Sequence, residues 1–180
     1  KVVVRINKWP KRERNASGDI IEVSGFAGEN EAEVMSVIKE NSIRYIFNRA
    51  TLEEADKKKV TAKDYEGRED FRDKTIITID GEDAKDLDDA ISVRKVRGGY
   101  RLSVHIADVS HYVQEGDIID REAERRATSV YLVDRTIPML PERLCNFICS
   151  LRPDEDKLTY SAIFRMNEKG DVLKWRLAHT

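Results

Sequence analysis

Residues 75–93 have the sequence TIITIDGEDAKDLDDAISV, in which an acidic loop joins two β-prone segments, TIITI and AISV. Strands on both sides fix the ends of a loop, so the pattern predicts an acidic rim held between two buried strands of a sheet. The acids of this loop are Asp80, Glu82, Asp83, Asp86, Asp88 and Asp89, and Lys85 is the only basic residue among them.

Carboxylates this close repel one another by about 1 kcal/mol per pair in bulk water, and by more in a partly dry site. Positive charge is therefore expected at the loop, and a bound divalent ion supplies it most simply. Mg²⁺ prefers oxygen ligands, and in two-metal phosphodiesterases carboxylates hold the ions that activate water. The loop thus predicts a Mg²⁺ site, with Mn²⁺ as an alternative, while a ligand-free acidic surface turn stays open.

Two other acidic motifs compare less well with this loop. An EF-hand beginning at Asp86 would place Ile91 where the turn requires Gly and Arg97 where a bidentate Glu is required, so a calcium loop is excluded. The tripeptide Asp80-Gly81-Glu82 matches the Asp-x-Glu opening of RNase H-like exonucleases. The acids further along the chain do not continue that pattern, so it stays only as an alternative.

The spacing of Asp80, Asp86, Asp88 and Asp89 is more specific, and further motifs follow it in order. These are IDGEDAKDLDDA at 79–90, HIADVSHYV at 105–113, TSVYL at 128–132, IPMLPERL at 137–144 and CSLRPDEDKL at 149–158. Together they resemble the RNase II and RNase R exoribonucleases, the RNB family, with RNase R the nearer branch. The resemblance covers nearly all 180 residues.

The resemblance implies an α+β chain made of parts of two domains. Residues 1–45 are expected to be the C-terminal part of a cold-shock, OB-type β-barrel. Residues 46–74 are expected to form a helix and a linker. Residues 75–180 would then be the N-terminal part of a mixed α+β RNB catalytic domain, whose later half lies beyond this sequence.

The same resemblance implies a function. It predicts a metal-dependent, hydrolytic 3′-to-5′ exoribonuclease that acts on single-stranded RNA and releases 5′-nucleoside monophosphates. The metal ligands would be Asp80, Asp86, Asp88 and Asp89, of which Asp86 and Asp88 would also be catalytic, and the ring of Tyr131 would stack on the 3′-terminal base. The family's assisting arginine and further acid lie later in the domain, so the 180 residues alone are expected to be weakly active or inactive. A non-catalytic RNA-binding fragment is the alternative.

A basic loop near the N-terminus is a second candidate for RNA contact. Strands predicted at 2–6 and 19–25 are joined by KWPKRERNASG, in which basic residues surround an aromatic ring. Cations follow phosphates and a ring stacks on bases, so this composition suits single-stranded nucleic acid, although a merely solvated loop is as good an interpretation. The predicted RNA-binding residues are Lys8, Trp9, Lys11 and Arg12.

Composition limits the remaining possibilities. The chain is 40% apolar with a net charge of −2, and no apolar run approaches the roughly 18 residues of a membrane span. The N-terminus lacks the apolar segment of a signal peptide, and without an initial Met the chain resembles a piece of a longer protein. Cys145 and Cys149 match no zinc or redox spacing, which favours buried, reduced thiols. We expect a cytoplasmic monomer with no membrane partner.

Local patterns predict the remaining elements. Asn30 is expected to cap a helix, and a longer helix is predicted over 119–132, capped near Asp117 or Asp120. Hairpins are predicted around 97–99 and 168–171, where glycine turns separate alternating segments. In the first hairpin the alternation predicts one core-facing side, formed by Ile91, Val93, Leu102, Val104 and Ile106.

Overall fold

The computed structural model describes residues 1–12 and 14–180, which form two units, Lys1–Ile46 and Phe47–Thr180. Glu13, in the basic loop, lies outside the described residues. None of the helices in the described ranges has the length and apolar character that a membrane crossing requires.

The unit Lys1–Ile46 contains a two-stranded antiparallel sheet and one helix. Its elements are β1 (Val2–Lys8), β2 (Ser17–Val23) and α1 (Asn30–Glu40). The predicted cap at Asn30 is wrong, because Asn30 is already helical and the extended residue before the helix is Glu29. The carboxylate of Glu33 instead accepts a hydrogen bond from the Gly28 backbone N–H at 3.0 Å.

The unit Phe47–Thr180 combines a four-stranded sheet with short helices. Its helices are α2 (Arg49–Lys57), α3 (Val109–Tyr112) and α4 (Ile118–Arg126), with a 3₁₀ turn at Ala62–Tyr65 and a π-helical segment at Arg143–Ile148. Its strands are β3 (Asp89–Val96), β4 (Gly99–Ala107), β5 (Val130–Tyr131), β6 (Thr136–Ile137), β7 (Thr159–Met166) and β8 (Val172–His179).

The large sheet is antiparallel throughout, in the order β3-β4-β7-β8, and both predicted hairpins are confirmed. Gly99 shows why the first turn needs glycine. Its φ is +143°, and a side-chain Cβ there would lie 2.0 Å from the Met166 carbonyl oxygen of the neighbouring strand. Substitution would therefore force β4 and β7 apart.

The predicted register of the first hairpin is right, but the predicted core side is wrong. Ile91 lies opposite Val104 and Val93 opposite Leu102, so these side chains share one face as expected. That face leaves Val93 and Ile106 exposed, whereas the other face buries Ala90, Ser103, His105 and Ala107. The buried face is therefore the more polar one.

The hydrophobic core lies among α2, α4, the π-helical segment and the end of β4. It consists of Ala55, Ala107, Tyr112, Ile119, Leu144, Ile148, Cys149 and Leu158. Burial of such side chains contributes about 1.5–3 kcal/mol for each large one and fixes the end of β4 against the helices. Both cysteines are free, with Cys149 buried and Cys145 half-buried.

Helix α4 is shorter than predicted. Asp117 caps it as expected, accepting hydrogen bonds at 2.8 Å from the backbone N–H groups of Ile119 and Asp120. The helix ends at Arg126, because Ala127 has a positive φ of 64° that closes the last turn. Tyr131 therefore lies in the short strand β5 and not at a helix end.

Candidate metal site and RNA contacts

The acidic loop is held at both ends, although not by two buried strands. The segment TIITI is not a strand. Only Ile77 pairs with the sheet, exchanging backbone hydrogen bonds of 2.9 and 2.8 Å with Ile91, and Ile79 is exposed. At the other end, the Ala107 N–H donates to the Asp88 carbonyl at 2.9 Å. The loop is thus attached to the edge of the sheet by these two contacts.

Ser150 anchors the middle of the loop, a role that no local sequence pattern predicted. Its fully buried hydroxyl donates to the Lys85 carbonyl at 2.7 Å and accepts from the Leu87 N–H at 3.1 Å. The next residue, Leu151, donates its own N–H to the Leu87 carbonyl at 2.8 Å. The signal available in the sequence was the CSLRPDEDKL motif, whose second residue is this serine.

The four aspartates influence one another through space. The pKa of Asp88 is raised above its ordinary value. The main cause is partial burial of the carboxyl group, and the negative charges of Asp86, Asp89 and Asp80 add to it. Asp88 nevertheless keeps contact with solvent. The structure therefore brings the predicted residues into one electrostatic group centred on Asp88.

This group has no positive charge of its own. Within the described part of the chain, no basic side chain forms an ion pair with Asp80, Asp86, Asp88 or Asp89. Across residues 1–12 and 14–180, no three His, Cys, Asp or Glu side chains form a ready metal-ligand cluster. The four carboxylates thus supply hard oxygen atoms, which suit a divalent cation, but they do not form a finished coordination sphere.

Tyr131 contacts this acidic group directly. Its hydroxyl donates a hydrogen bond of 2.8 Å to Oδ2 of Asp86, while 67% of the residue remains exposed. That bond, with partial burial, raises the pKa of Tyr131, so the hydroxyl keeps its proton and remains a donor. The sequence predicted a role for the ring and missed the hydroxyl.

The two thiols near the loop are poor metal ligands. Burial, with a smaller contribution from the charge of Asp86, raises the pKa of Cys145 to about 11. Burial and the charge of Asp88 raise the pKa of Cys149 to about 12. With pKa values this high, both cysteines stay protonated near neutral pH. Only thiolates bind metal well, so the carboxylates are the better ligands at this site.

The predicted RNA-binding residues of the basic loop lie in the other unit, Lys1–Ile46. Lys8, Trp9, Lys11 and Arg12 are all exposed, with Trp9 72% accessible. Lys11 and Arg14 exchange two backbone hydrogen bonds of 3.0 and 2.9 Å, which close the loop. With respect to the described residues, the side chains of Lys8, Lys11 and Arg12 have no ion-pair partner and are free to bind anions.

A cavity of about 980 Å³ lies on the buried side of the large sheet, and Ala90, His105 and Phe71 are among its lining residues. Its cations are already neutralised. Arg72 pairs with Asp70 and Asp156, and Lys157 pairs with Glu155. The cavity therefore offers little free positive charge to a phosphate, in contrast to the basic loop.

Comparison with known proteins assigns both units to families. Residues 68–180 match the RNB domain family, and residues 1–48 match the cold shock domain family. Ribonuclease R of Thermotoga maritima is 46% identical over 180 residues, which cover 97% of this chain and 25% of that protein. The exosome complex exonuclease of Homo sapiens is 36% identical over 178 residues, which cover 97% of this chain and 19% of that protein.

A solved structure shows the same fold. Mycoplasma genitalium RNase R in complex with ribose-methylated single-stranded RNA superposes with a TM-score of 0.93 at 28% identity, covering 99% of this chain and 28% of that chain. The chain therefore spans about a quarter of the length of these relatives. The predicted α+β class, with a cold-shock part followed by an RNB part, is confirmed. Because the RNB match extends over more than half of its residues, the chain belongs to the RNB family.

Proposed function

We propose that this chain is the part of a hydrolytic 3′-to-5′ exoribonuclease that carries its acidic metal site, and that the whole enzyme releases 5′-nucleoside monophosphates from single-stranded RNA. The observation that carries the proposal is the group of Asp80, Asp86, Asp88 and Asp89 at the sheet edge, with no basic partner within residues 1–12 and 14–180. Membership of the RNB family and a relative named as an exonuclease support it.

The donor set fits a hard divalent cation. Asp80, Asp86 and Asp89 would hold Mg²⁺, or Mn²⁺, and the thiols near them stay protonated. When bound, such an ion supplies Lewis-acid activation of water and offsets charge on the phosphate. Asp88 would orient the attacking water by accepting its hydrogen bond, and Ser150 would keep the loop backbone in place.

Two sets of side chains would bind the RNA. The ring of Tyr131 would stack on the 3′-terminal base beside the acids, since most of the residue is exposed. Lys8, Trp9, Lys11 and Arg12 would contact the RNA through the cold-shock part, the lysines and arginine at phosphates and Trp9 at a base. We retain residues 46–74 as the connection between the 1–45 and 75–180 parts, and propose a cytoplasmic monomer.

The catalytic proposal is tested in a chimera in which this segment replaces its counterpart in Thermotoga maritima ribonuclease R. With Mg²⁺ and a labelled single-stranded RNA, we expect release of mononucleotides, and Asp88→Asn should slow it by about 10²–10³-fold, the effect of removing one preorganised charge-stabilising group. RNA affinity should be unchanged. If the Asp88→Asn chimera hydrolyses RNA as fast as the chimera that keeps Asp88, the proposal is contradicted.

If the chimera does not fold, Mn²⁺ binding to the 180-residue chain provides the second test. Titration followed by electron paramagnetic resonance should show binding to the parent chain and weaker binding to Asp86→Asn. Equal binding by both contradicts the assignment of Asp86 as a ligand. The isolated chain itself is expected to hydrolyse RNA slowly or not at all, because it spans only about a quarter of the length of its relative from Thermotoga maritima.

The basic-loop assignment has its own test. RNA binding by the chain is measured by fluorescence anisotropy over a series of salt concentrations. For Trp9→Ala, the free energy of binding should become less favourable by about 1–3 kcal/mol. For Lys8→Ala the salt slope should become shallower by about 0.7, the value for one phosphate contact on a single strand. Lys57→Ala, an exposed lysine paired with Glu54, is the control and should change neither quantity.

A non-catalytic RNA-binding role is the second candidate, favoured by the absence of a ready ligand cluster within residues 1–12 and 14–180. It predicts RNA binding without Mn²⁺ binding and a chimera inactive even with Asp88 intact. The RNase H-like alternative has no such support, since the chain matches the RNB family.

A further inference from the structure

Tyr131 connects two surfaces that the proposed function treats separately, the stacking surface for a base and the acidic group. The residue lies in β5, and the backbone around it is fixed by pairing with β6 and by the hydrogen bond from the Leu132 N–H to the Arg135 carbonyl, 2.8 Å long. From this position its hydroxyl reaches Oδ2 of Asp86 at 2.8 Å. Tyr131, on a fixed strand, thus makes a hydrogen bond that restrains the carboxylate of Asp86 on the acidic loop.

The side chain of Asp86 depends on this contact for its orientation. Its backbone neighbours are fixed, because Ser150 binds both the Lys85 carbonyl and the Leu87 N–H. Its carboxylate, in contrast, has one hydrogen-bond donor among residues 1–12 and 14–180, the Tyr131 hydroxyl. Hydrogen bonds to an ionised carboxylate are among the stronger ones in proteins, so this donor determines which way Asp86 points.

The hydrogen bond leaves the ring available. A phenol hydroxyl lies at the edge of the ring and in its plane, so a bond to Asp86 does not cover either ring face. Exposure of 67% leaves ring surface accessible to solvent. A nucleobase can therefore stack on Tyr131 while the hydroxyl stays bonded to Asp86, and stacking then restrains the ring, the hydroxyl and the carboxylate together.

We propose that Tyr131 is a positioning residue that couples the two sites: a base stacked on its ring and a divalent ion held by Asp86 strengthen each other's binding through the Tyr131 hydroxyl. The proposal rests on the proposed function, because it assigns Asp86 to a metal and Tyr131 to RNA. It also adds to the expectation from the sequence, which gave a role to the ring of Tyr131 and none to its hydroxyl.

The two substitutions at this position separate the roles of ring and hydroxyl. Tyr131→Phe keeps the stacking surface and removes the donor to Asp86, whereas Tyr131→Ala removes both. Removing a hydrogen-bond partner of a metal ligand typically weakens metal binding by about 10–100-fold. When each ligand is measured in the absence of the other, Tyr131→Phe should therefore reduce Mn²⁺ affinity while RNA affinity stays close to that of the parent chain, and Tyr131→Ala should reduce both.

Coupling is measured as a binding cycle on the 180-residue chain. Mn²⁺ affinity is determined by electron paramagnetic resonance with and without a short ribose-methylated single-stranded RNA, after subtraction of Mn²⁺ bound by the RNA alone. In the parent chain, RNA should tighten Mn²⁺ binding by a factor in the range of about 5–150, and Mn²⁺ should tighten RNA binding by the same factor. In Tyr131→Phe this factor should fall close to one.

Tyr65→Phe is the matched control. Tyr65 is also an exposed tyrosine of the unit Phe47–Thr180, and its hydroxyl has no partner among the described residues. The Tyr65→Phe chain should bind Mn²⁺ and RNA with the same affinities and the same coupling factor as the parent chain. Unchanged melting temperatures of both Phe variants will show that folding is not the cause of any difference.

The outcomes distinguish the inference from the function on which it rests. A parent chain that binds RNA and Mn²⁺ but shows no coupling, or a Tyr131→Phe chain with the parent's coupling, overturns the inference alone. A Tyr131→Phe chain that loses RNA as completely as Tyr131→Ala also overturns it, since the hydroxyl would then serve RNA directly. A parent chain that binds neither ligand overturns the proposed function and the inference with it.

Discussion

Two groups of carboxylates in the unit Phe47–Thr180 differ in the source of their compensating charge. Asp108, only 3% exposed, receives hydrogen bonds from Arg68 at 2.7 Å and from Ser110 at 3.0 Å. Burial acts to raise the pKa of Asp108, but these hydrogen bonds and the charge of Arg68 outweigh it and hold the pKa below its ordinary value. In the acidic loop, by contrast, the pKa of Asp88 is raised.

The difference separates an ion pair that supports the fold from a group of acids that has no basic partner among the described residues. Arg68 also donates to the carbonyl oxygens of Thr159 and Thr180, at 3.2 and 3.3 Å, and so joins the start of β7 to the end of β8. Beside it, Nε2 of His111 lies 3.2 Å from Oδ1 of Asp64. Within the described residues the acidic loop has no equivalent of Arg68, and such unsatisfied charge is typical of functional sites.

The largest expected effect is on folding, from Arg68→Ala. The variant leaves Asp108 charged, buried and without its main partner, so the free energy of unfolding should fall by about 3–5 kcal/mol. Urea denaturation followed by circular dichroism measures this loss. Arg72→Ala is the control. Arg72 also forms ion pairs, with Asp70 and Asp156, but its side chain is 64% exposed, so the loss of stability should be much smaller. Equal losses would show that the two arginines do not differ as structural partners.

A smaller effect is expected when the missing charge is added to the acidic loop. At a Mn²⁺ concentration of about 100 times the dissociation constant, binding to the folded state alone stabilises it by about 2.7 kcal/mol. This increment should appear in the melting temperature of the parent chain and be reduced in Asp86→Asn. Asp64→Asn, which changes a carboxylate outside the acidic loop, should keep the full increment. An increment of the same size in Asp86→Asn would place the ion elsewhere.

The sequence predicted the elements whose signals are local. The glycine pair at 98–99 fixed the first hairpin, and Asp117 began α4 as predicted. It did not predict the buried face of the sheet, because burial there depends on contacts between distant strands. His105 is buried because its ring nitrogens bind Ser161 at 2.7 Å and Ser92 at 3.1 Å, so three polar groups satisfy one another.

The candidate site shows the same limit. Spacing along 80–89 was enough to predict that the four aspartates would lie together, because they share one loop. The contacts of Ser150 and of the Tyr131 hydroxyl with that loop join residues 63 and 45 positions apart, and no local pattern encodes them. Arg68, in a segment predicted to be a linker, acquires its role only when Asp108 and the ends of β7 and β8 meet around it.

The smallest expected effect is the pH dependence of stability at Asp88. Since its pKa is higher in the folded than in the unfolded chain, the stability contributed by protonated Asp88 is complete below the unfolded pKa of about 3.9 and is lost as the pH rises through the folded pKa. Asp108, whose folded pKa is lowered, has the opposite dependence, with stability lost as the pH falls.

Asp88→Asn is neutral at every pH, so without divalent ions it should equal the parent chain in stability at acid pH and exceed it near neutral pH. Because Asp88 remains in contact with solvent, the gain should be below about 1 kcal/mol. Melting temperatures measured from acid to neutral pH in the presence of a chelator show the difference. Asp83→Asn removes the same charge from an exposed position of the same loop and should give a smaller gain. If Asp88→Asn were less stable than the parent chain near neutral pH, the ionised carboxylate would have a positive partner, and the contrast with Asp108 would disappear.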